Sequence, residues 1–287
     1  MNYRHIYHAG NFADVIKHAA LALSIAHLKA KPAAFRVIDT HAGTGRYNLS
    51  SPEALKTHEW DNGIGRLLAE PRPPDIDALL APYLDAIAAA NGGQLTITAP
   101  EIYPGSPLIA RHLLRPHDRL VANELHLEDH TDLADLFAGD PQTKVMNLDG
   151  WTALKALLPP IERRGIILVD PPFEEPGELQ RLVQGLREAA RRFATGIVLL
   201  WYPIKDLRPV HAFRQELQES GLPKLLDVEV LVRYPDRIGL AGSGLVIMNP
   251  PFGLEPKLAR LTTFLADRLQ TGPGAGARVT WLAGERV

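Results

Sequence analysis

Four times along this chain a short apolar run ends on an acidic residue and hands over to a turn or a helix-forming stretch: Phe35–Asp39, Arg119–Glu124, Lys144–Asp149 and Gly165–Asp170. Strands that alternate with helices of roughly 10–15 residues pair in parallel, because each crossover helix carries the chain back over one face of the sheet. The predicted class is therefore α/β, a mostly parallel twisted sheet covered on both faces. Ligands of such sheets sit beyond the carboxyl ends of the strands, near the point where strand order reverses. A single strand-end aspartate is more often a helix cap. Four acidic residues in register on successive units point to a site.

The rest of the chain is arranged around these units. Residues 11–29 predict an amphipathic helix capped by Asn11, and HAGTGR at 41–46 is a glycine turn after the first strand. Residues 50–93 change character: Ser51-Pro52 opens a helix, DIDALLAPYLDAIAAA continues in helical pattern, and Gly92-Gly93 stops it. This predicts a small helical subdomain, 50–102, inserted into a domain made of 1–49 and 103–287. Leu95–Ile97 is a short apolar segment, YPGSP at 103–107 a turn, and Ser106 the N-cap of the helix behind it. Helices are expected over 127–137, 151–158, 177–193, 209–220 and about 256–270. Strands are expected at 196–202, 226–234, 244–248 and 278–282. Late strands joined by turns predict an antiparallel edge.

Composition narrows the function classes. Among 287 residues there is no cysteine, which removes disulfides, thiolate metal sites and cysteine nucleophiles and suits a cytoplasmic location. No apolar run reaches membrane-spanning length, so no membrane partner is expected, and the N-terminus lacks the layout of a signal peptide. A net charge of −2 does not describe a protein that coats nucleic acid. Gripping a short segment needs only a local basic rim, which Arg163, Arg164, Arg181, Arg187, Arg191 and Arg192 are placed to supply, although solvated helix faces account for any one of them. His5, His8, His18 and His41 match no metal-ligand spacing, so no metal is expected.

Each strand-end group suits one part of S-adenosylmethionine. The glycine turn allows close backbone approach, Glu124 is placed to accept the ribose hydroxyls, and Asp149 to accept the adenine amino group. Lys17, His18 and His41 are candidates to line the pocket. Asp170-Pro171-Pro172-Phe173 carries the sharpest signal. Adenine N6 is a poor nucleophile because its lone pair is delocalised into the ring. Asp170 accepting one N–H and the Pro171 carbonyl the other favour a more tetrahedral nitrogen, and Phe173 offers a face for stacking an extruded base. The bland alternative is a chain break after a strand with Phe173 in the core. A second copy, Asn249-Pro250-Pro251-Phe252, follows a late strand and reads as a turn at the sheet edge.

With these residues assembled, the chain resembles the 23S ribosomal RNA adenine-N6 methyltransferase J family. The resemblance rests on YRHIYHAGNFADVIKH (3–18), DTHAGTGRY (39–47), YPGSPLIAR (103–111), ELH (124–126), DG (149–150), RRGIILVDPPFE (163–174), RFATGIVLLWYPI (192–204) and SGLVIMNPPF (243–252). It implies a Rossmann-like class I methyltransferase with a small helical insertion, 23S rRNA as partner, and a monomer. It places cofactor contacts on His18, His41, Ser106, Glu124, Asp149, Gly150 and Asp170, the catalytic acceptor on Asp170, and Tyr3 facing the entering adenosine. Phe173 departs from the tyrosine common in such motifs, which keeps stacking and removes a phenolic hydrogen bond. The alternatives kept open are adenine in DNA, a protein glutamine amide, and a binding protein without turnover. HAGTGRYN does not complete G-x-G-x-x-G, which disfavours a nicotinamide dehydrogenase, and no phosphate-loop sequence exists.

Overall fold

A computed structural model of the chain describes residues 4–95 and 99–284. The chain opens with α1 (Phe12–Lys29) and β1 (Arg36–Asp39), then β2 (Arg46–Asn48), α2 (Pro52–Thr57), α3 (Ile64–Ala69), α4 (Pro74–Ala90) and β3 (Ile102–Pro104). The alternating units follow as α5 (Ser106–Leu113), β4 (Arg119–Asn123), α6 (Leu127–Leu136), β5 (Thr143–Met146), α7 (Gly150–Leu157), β6 (Gly165–Val169) and α8 (Glu178–Arg192). The last third is β7 (Ile197–Ile204), α9 (Leu207–Glu219), β8 (Leu225–Leu231), β9 (Gly242–Met248), α10 (Leu254–Arg268) and β10 (Gly276–Ala283).

Eight strands form one sheet in the order β10-β8-β9-β7-β6-β1-β4-β5. The five from β5 to β7 are parallel; β9, β8 and β10 extend it with antiparallel pairings. The α/β class with an antiparallel edge is as expected. Strand alternation sorts the core into two layers. Val37, Ile166 and Leu168 face the layer of α1, α5 and α10, whereas Ile38, Ile167 and Val169 face that of α7, α8 and α9. All of β6 is buried, as a central parallel strand must be when helices cover both faces.

Two expectations change. The YPGSP segment is no simple turn, because Ile102–Pro104 pairs antiparallel with Arg46–Asn48, Tyr47 opposite Tyr103. This ribbon is the neck through which the chain leaves the sheet and returns. Three-residue strands are too short for periodicity to reveal. Second, α1 is not amphipathic. Every residue from Phe12 to Ile25 is buried, because α1 lies between the sheet and the helices α4, α5 and α10. Of the segment 95–97, residues 96 and 97 lie outside the described residues. Among the described residues no helix is long and apolar enough to cross a membrane.

Candidate active site

β1 lies between β4 on one side and β6 on the other, so strand order reverses there and a cleft opens above the strand ends. Glu124 follows β4 directly, Asp170 follows β6 directly, and Asp149 caps α7 by accepting from the Thr152 N–H at 2.9 Å. These three line one cleft together with His18, His41, Ser106, Gly150 and Pro171. Asp39 ends β1 beside Ser106, 1% exposed, with Oδ1 accepting from the His41 N–H at 3.3 Å.

Local geometry explains each position. Glu124 ties the glycine turn to the next strand, accepting from Gly43 N–H at 2.8 Å through one oxygen and from His126 N–H at 2.8 Å through the other. Gly43 has φ +59, and a Cβ there would overlap the Tyr47 hydroxyl. At Gly150 a Cβ would overlap the His41 ring and come 3.0 Å from the Thr40 carbonyl oxygen. Ser106 is not the N-cap. Gly105 is, because a side chain there would press on Tyr47 and Gly45, and Ser106 becomes the first helical residue, buried beside Asp39.

Phe173 stands at the cleft edge rather than in its lining. Its ring is half-buried and edge-on to Trp201 at 5.6 Å. Tyr3 lies outside the described residues. Asn249–Phe252 is at the opposite end of the sheet, because β9 runs antiparallel to β7. There the Asn249 amide donates to the Ala194 and Gly196 carbonyls at 2.8 Å each, and Phe252 is 95% exposed. The expected basic rim also dissolves. Arg163 and Arg164 precede β6 at the far end, Arg191 and Arg192 pair with Glu188, and among the six only Arg181 lines the cleft.

Sequence reasoning placed Lys17 in the pocket without a partner. Its ammonium pairs with Asp170 and with Asp14 (2.8 Å), and sits 5.9 Å from the centre of the Trp201 ring. Asp14 also accepts from Gly10 N–H and lies 2.9 Å from His5 Nε2. Asp14, Tyr103 and Trp201 were missed. Asp14, Lys17 and His18 stand at i, i+3 and i+4 on one helix face, a readable signal for a charged cluster. Tyr103, whose hydroxyl is 2.8 Å from His18 Nδ1, gave none.

Comparison with known proteins was then decisive. Residues 32–283 match the family model described as ribosomal RNA large subunit methyltransferase D, RlmJ. Over 287 residues the chain is 41% identical to ribosomal RNA large subunit methyltransferase J of Escherichia coli K12, covering 99% of this chain and 100% of that one. The chain belongs to the RlmJ family. Its namesake from Haemophilus influenzae is 38% identical over 286 residues, again covering 100% of the relative. A crystal structure of a Legionella pneumophila protein superposes with TM-score 0.84 at 32% identity, over 96% of this chain and 98% of that one. The two RlmJ relatives align along their whole length.

Charge in this RlmJ-family cleft is set by burial. It drives His18 down to about 3 and His41 to about 4, so both imidazoles are neutral near pH 7. Burial opposes ionisation of Lys17 and Asp14 as well. There the mutual attraction wins, with Asp170 adding to it at Lys17 and His5 at Asp14, so the lysine is held above and the aspartate well below its usual range. Asp39 is pushed up to about 7 by burial, against the Ser106 hydroxyl and the His41 N–H that favour its anion.

Proposed function

We propose that this chain transfers the methyl group of S-adenosylmethionine to the exocyclic N6 of an adenosine in 23S ribosomal RNA. The observation that carries this reading is the placement of Asp170. It leaves the central strand at the switch point with Pro171 beside it in the cleft, and the Phe173–Trp201 pair stands at its edge. Family membership supports the substrate class. We also read residues 50–102 as a subdomain inserted through the β2–β3 neck.

The cleft suits the cofactor on its own terms. Gly43 and Gly150 let the backbone pack against Tyr47 and His41 in the cleft lining, where a Cβ would clash, the start of α5 offers N–H to a carboxylate, and Asp39, buried at the end of β1, offers a carboxylate to an ammonium group. Glu124 and Asp149 are the acceptors for ribose hydroxyls and the adenine amino group. His18, His41 and Ser106 complete the walls. When bound, S-adenosylmethionine supplies a methyl made electrophilic by its sulfonium.

The residues of the chain do the rest. Asp170 accepts one N6 hydrogen and the Pro171 carbonyl the other, which localises the lone pair and aims it at the methyl. Lys17 holds Asp170 as a positioned anion while leaving lone pairs free for the substrate. The proton that N6 sheds after attack has Asp170 as its nearest acceptor. Phe173 and Trp201 hold the extruded base.

Incubation with methyl-labelled S-adenosylmethionine and unmodified 23S rRNA, followed by digestion, is expected to give labelled N6-methyladenosine. Label appearing only with DNA or protein acceptors would overturn the RNA assignment. Two further results are expected. Glu124→Ala weakens cofactor binding by about 1–3 kcal/mol through lost hydrogen bonds, read by calorimetry; an unchanged dissociation constant removes Glu124 from the ribose site. Cofactor affinity also rises with pH up to about 7. The folded pKa of Asp39, about 7, is above its unfolded value, so its anion is disfavoured in the free protein, and stability from this group is lost as pH rises through 7. A bound cation beside Asp39 restores the anion and releases a proton, which gives up to about tenfold per pH unit below 7 and a plateau above it. A flat profile would show that Asp39 meets no cofactor charge.

A further inference from the structure

Beside the cleft the sheet rises into a wall whose charge differs from that of the cleft lining. β6 pairs with β7 only as far as Val169 opposite Leu200, where Asp170 leaves the sheet. β7 continues to Ile204, held there by β9, and β9 by β8. Three residues beyond the level of Asp170, at about 3.3 Å each, raise this three-stranded wall roughly 10 Å above it. Trp201 sits at its base, against Phe173.

The rim of the wall is built from two tied segments, Lys205–Arg208 and the loop 232–241. Arg237 N–H donates to the Lys205 carbonyl at 3.0 Å, Arg237 Nε lies 2.8 Å from Asp206, and Arg208 lies 3.2 Å from the same carboxylate. Arg233 braces the loop through Asp236 at 2.7 Å, and Tyr234 N–H is fixed on the Pro273 carbonyl at 2.7 Å. The two segments carry Lys205, Arg208, Arg233 and Arg237 against Asp206 and Asp236, so the rim has a surplus of positive charge. The Arg208 and Arg237 side chains are 73% and 63% exposed, and Tyr234 is 66% exposed on its anchored backbone. The cleft lining presents Asp149, Glu174, Glu175 and Glu178 beside Arg181. A phosphate backbone is attracted to the rim and repelled by these carboxylates.

We propose that the rim formed by Lys205–Arg208 and the loop 232–241 is the platform for the RNA strand flanking the target adenosine. Lys205, Arg208 and Arg237 hold its phosphates, and Tyr234 stacks an unpaired neighbouring base. The inference rests on the RNA assignment above. Stacking on an exposed aromatic beside phosphate-binding cations is the common mode for single-stranded RNA. An RNA strand crossing this wall delivers its extruded base down the Trp201 side toward Asp170.

The test compares the parent protein with Arg208→Glu/Arg237→Glu, with Tyr234→Ala, and with Arg187→Glu/Arg191→Glu on the outer face of α8. Filter binding to unmodified 23S rRNA transcript across a salt series, cofactor calorimetry and thermal melts are read for each. The double rim variant is expected to bind RNA about tenfold or more weakly, with a salt slope shallower by roughly 1–2. Tyr234→Ala weakens RNA binding with the slope unchanged. Cofactor affinity and melting stay at parent values, and the α8 pair behaves as the parent. RNA affinity and salt slope unchanged in both rim variants, while the parent methylates the transcript, overturns the platform and leaves the function standing; that is also the outcome if the rim serves a protein partner. A parent that neither binds nor methylates the transcript overturns both.

Discussion

Asp170→Asn is expected to lower the single-turnover rate of methyl transfer at saturating cofactor by about 10²–10⁴-fold. Asparagine keeps the size of the side chain and one acceptor oxygen. It loses the negative charge that favours a developing cation on N6 and the capacity to take up its proton. Protein integrity should survive, because Lys17 keeps its second carboxylate, Asp14, at 2.8 Å. Rapid-quench assays with labelled cofactor separate the chemical step from binding. A rate within threefold of the parent would remove Asp170 from the chemistry and leave it as a partner for Lys17.

Lys17→Met should produce the largest loss of stability. Lys17 is 4% exposed and Asp14 1% exposed, and removing the ammonium leaves a buried carboxylate whose remaining support is the Gly10 N–H and His5. Breaking one side of a buried pair costs about 3–5 kcal/mol, to be read from urea denaturation at pH 8. The deficit should shrink at lower pH, because Asp14 without its lysine takes up a proton more readily and the uncompensated charge disappears. Transfer should fall as well, since Asp170 loses the cation that orients it. Parent-like stability at pH 8 would mean that water reaches Asp14.

The two variants also divide what could be read from the chain and what could not. Asp170, Glu124 and Asp149 were recognisable because strand ends repeat and the sheet gathers them at one edge. The partnership of Lys17 with Asp170 spans 153 positions, and no local pattern encodes a contact between the first helix and the fourth unit. Strand order is hidden for the same reason. Alternation predicts that β8 and β9 exist, but not that β9 slips between β7 and β8. Ser106 was misjudged by one position, because the rule favouring serine caps ignores the crowding by Tyr47 that demands glycine at 105. The basic rim was sought in arginine-rich helix faces, whereas the surplus lies at Lys205–Arg208 and in the loop 232–241, brought together only by the antiparallel extension.

The all-round burial of α1 bears on how the chain is made. This helix precedes every strand of the sheet, yet its cover includes β6, β9 and α10. Its last covering element, α10, ends at Arg268, and α1 itself ends at Lys29. At synthesis rates of about 5–20 residues per second, this apolar helix waits roughly 12–50 s for the last of its neighbours. Until α10 is made, the part of α1 that it covers stays open, and such transiently exposed apolar surface favours aggregation.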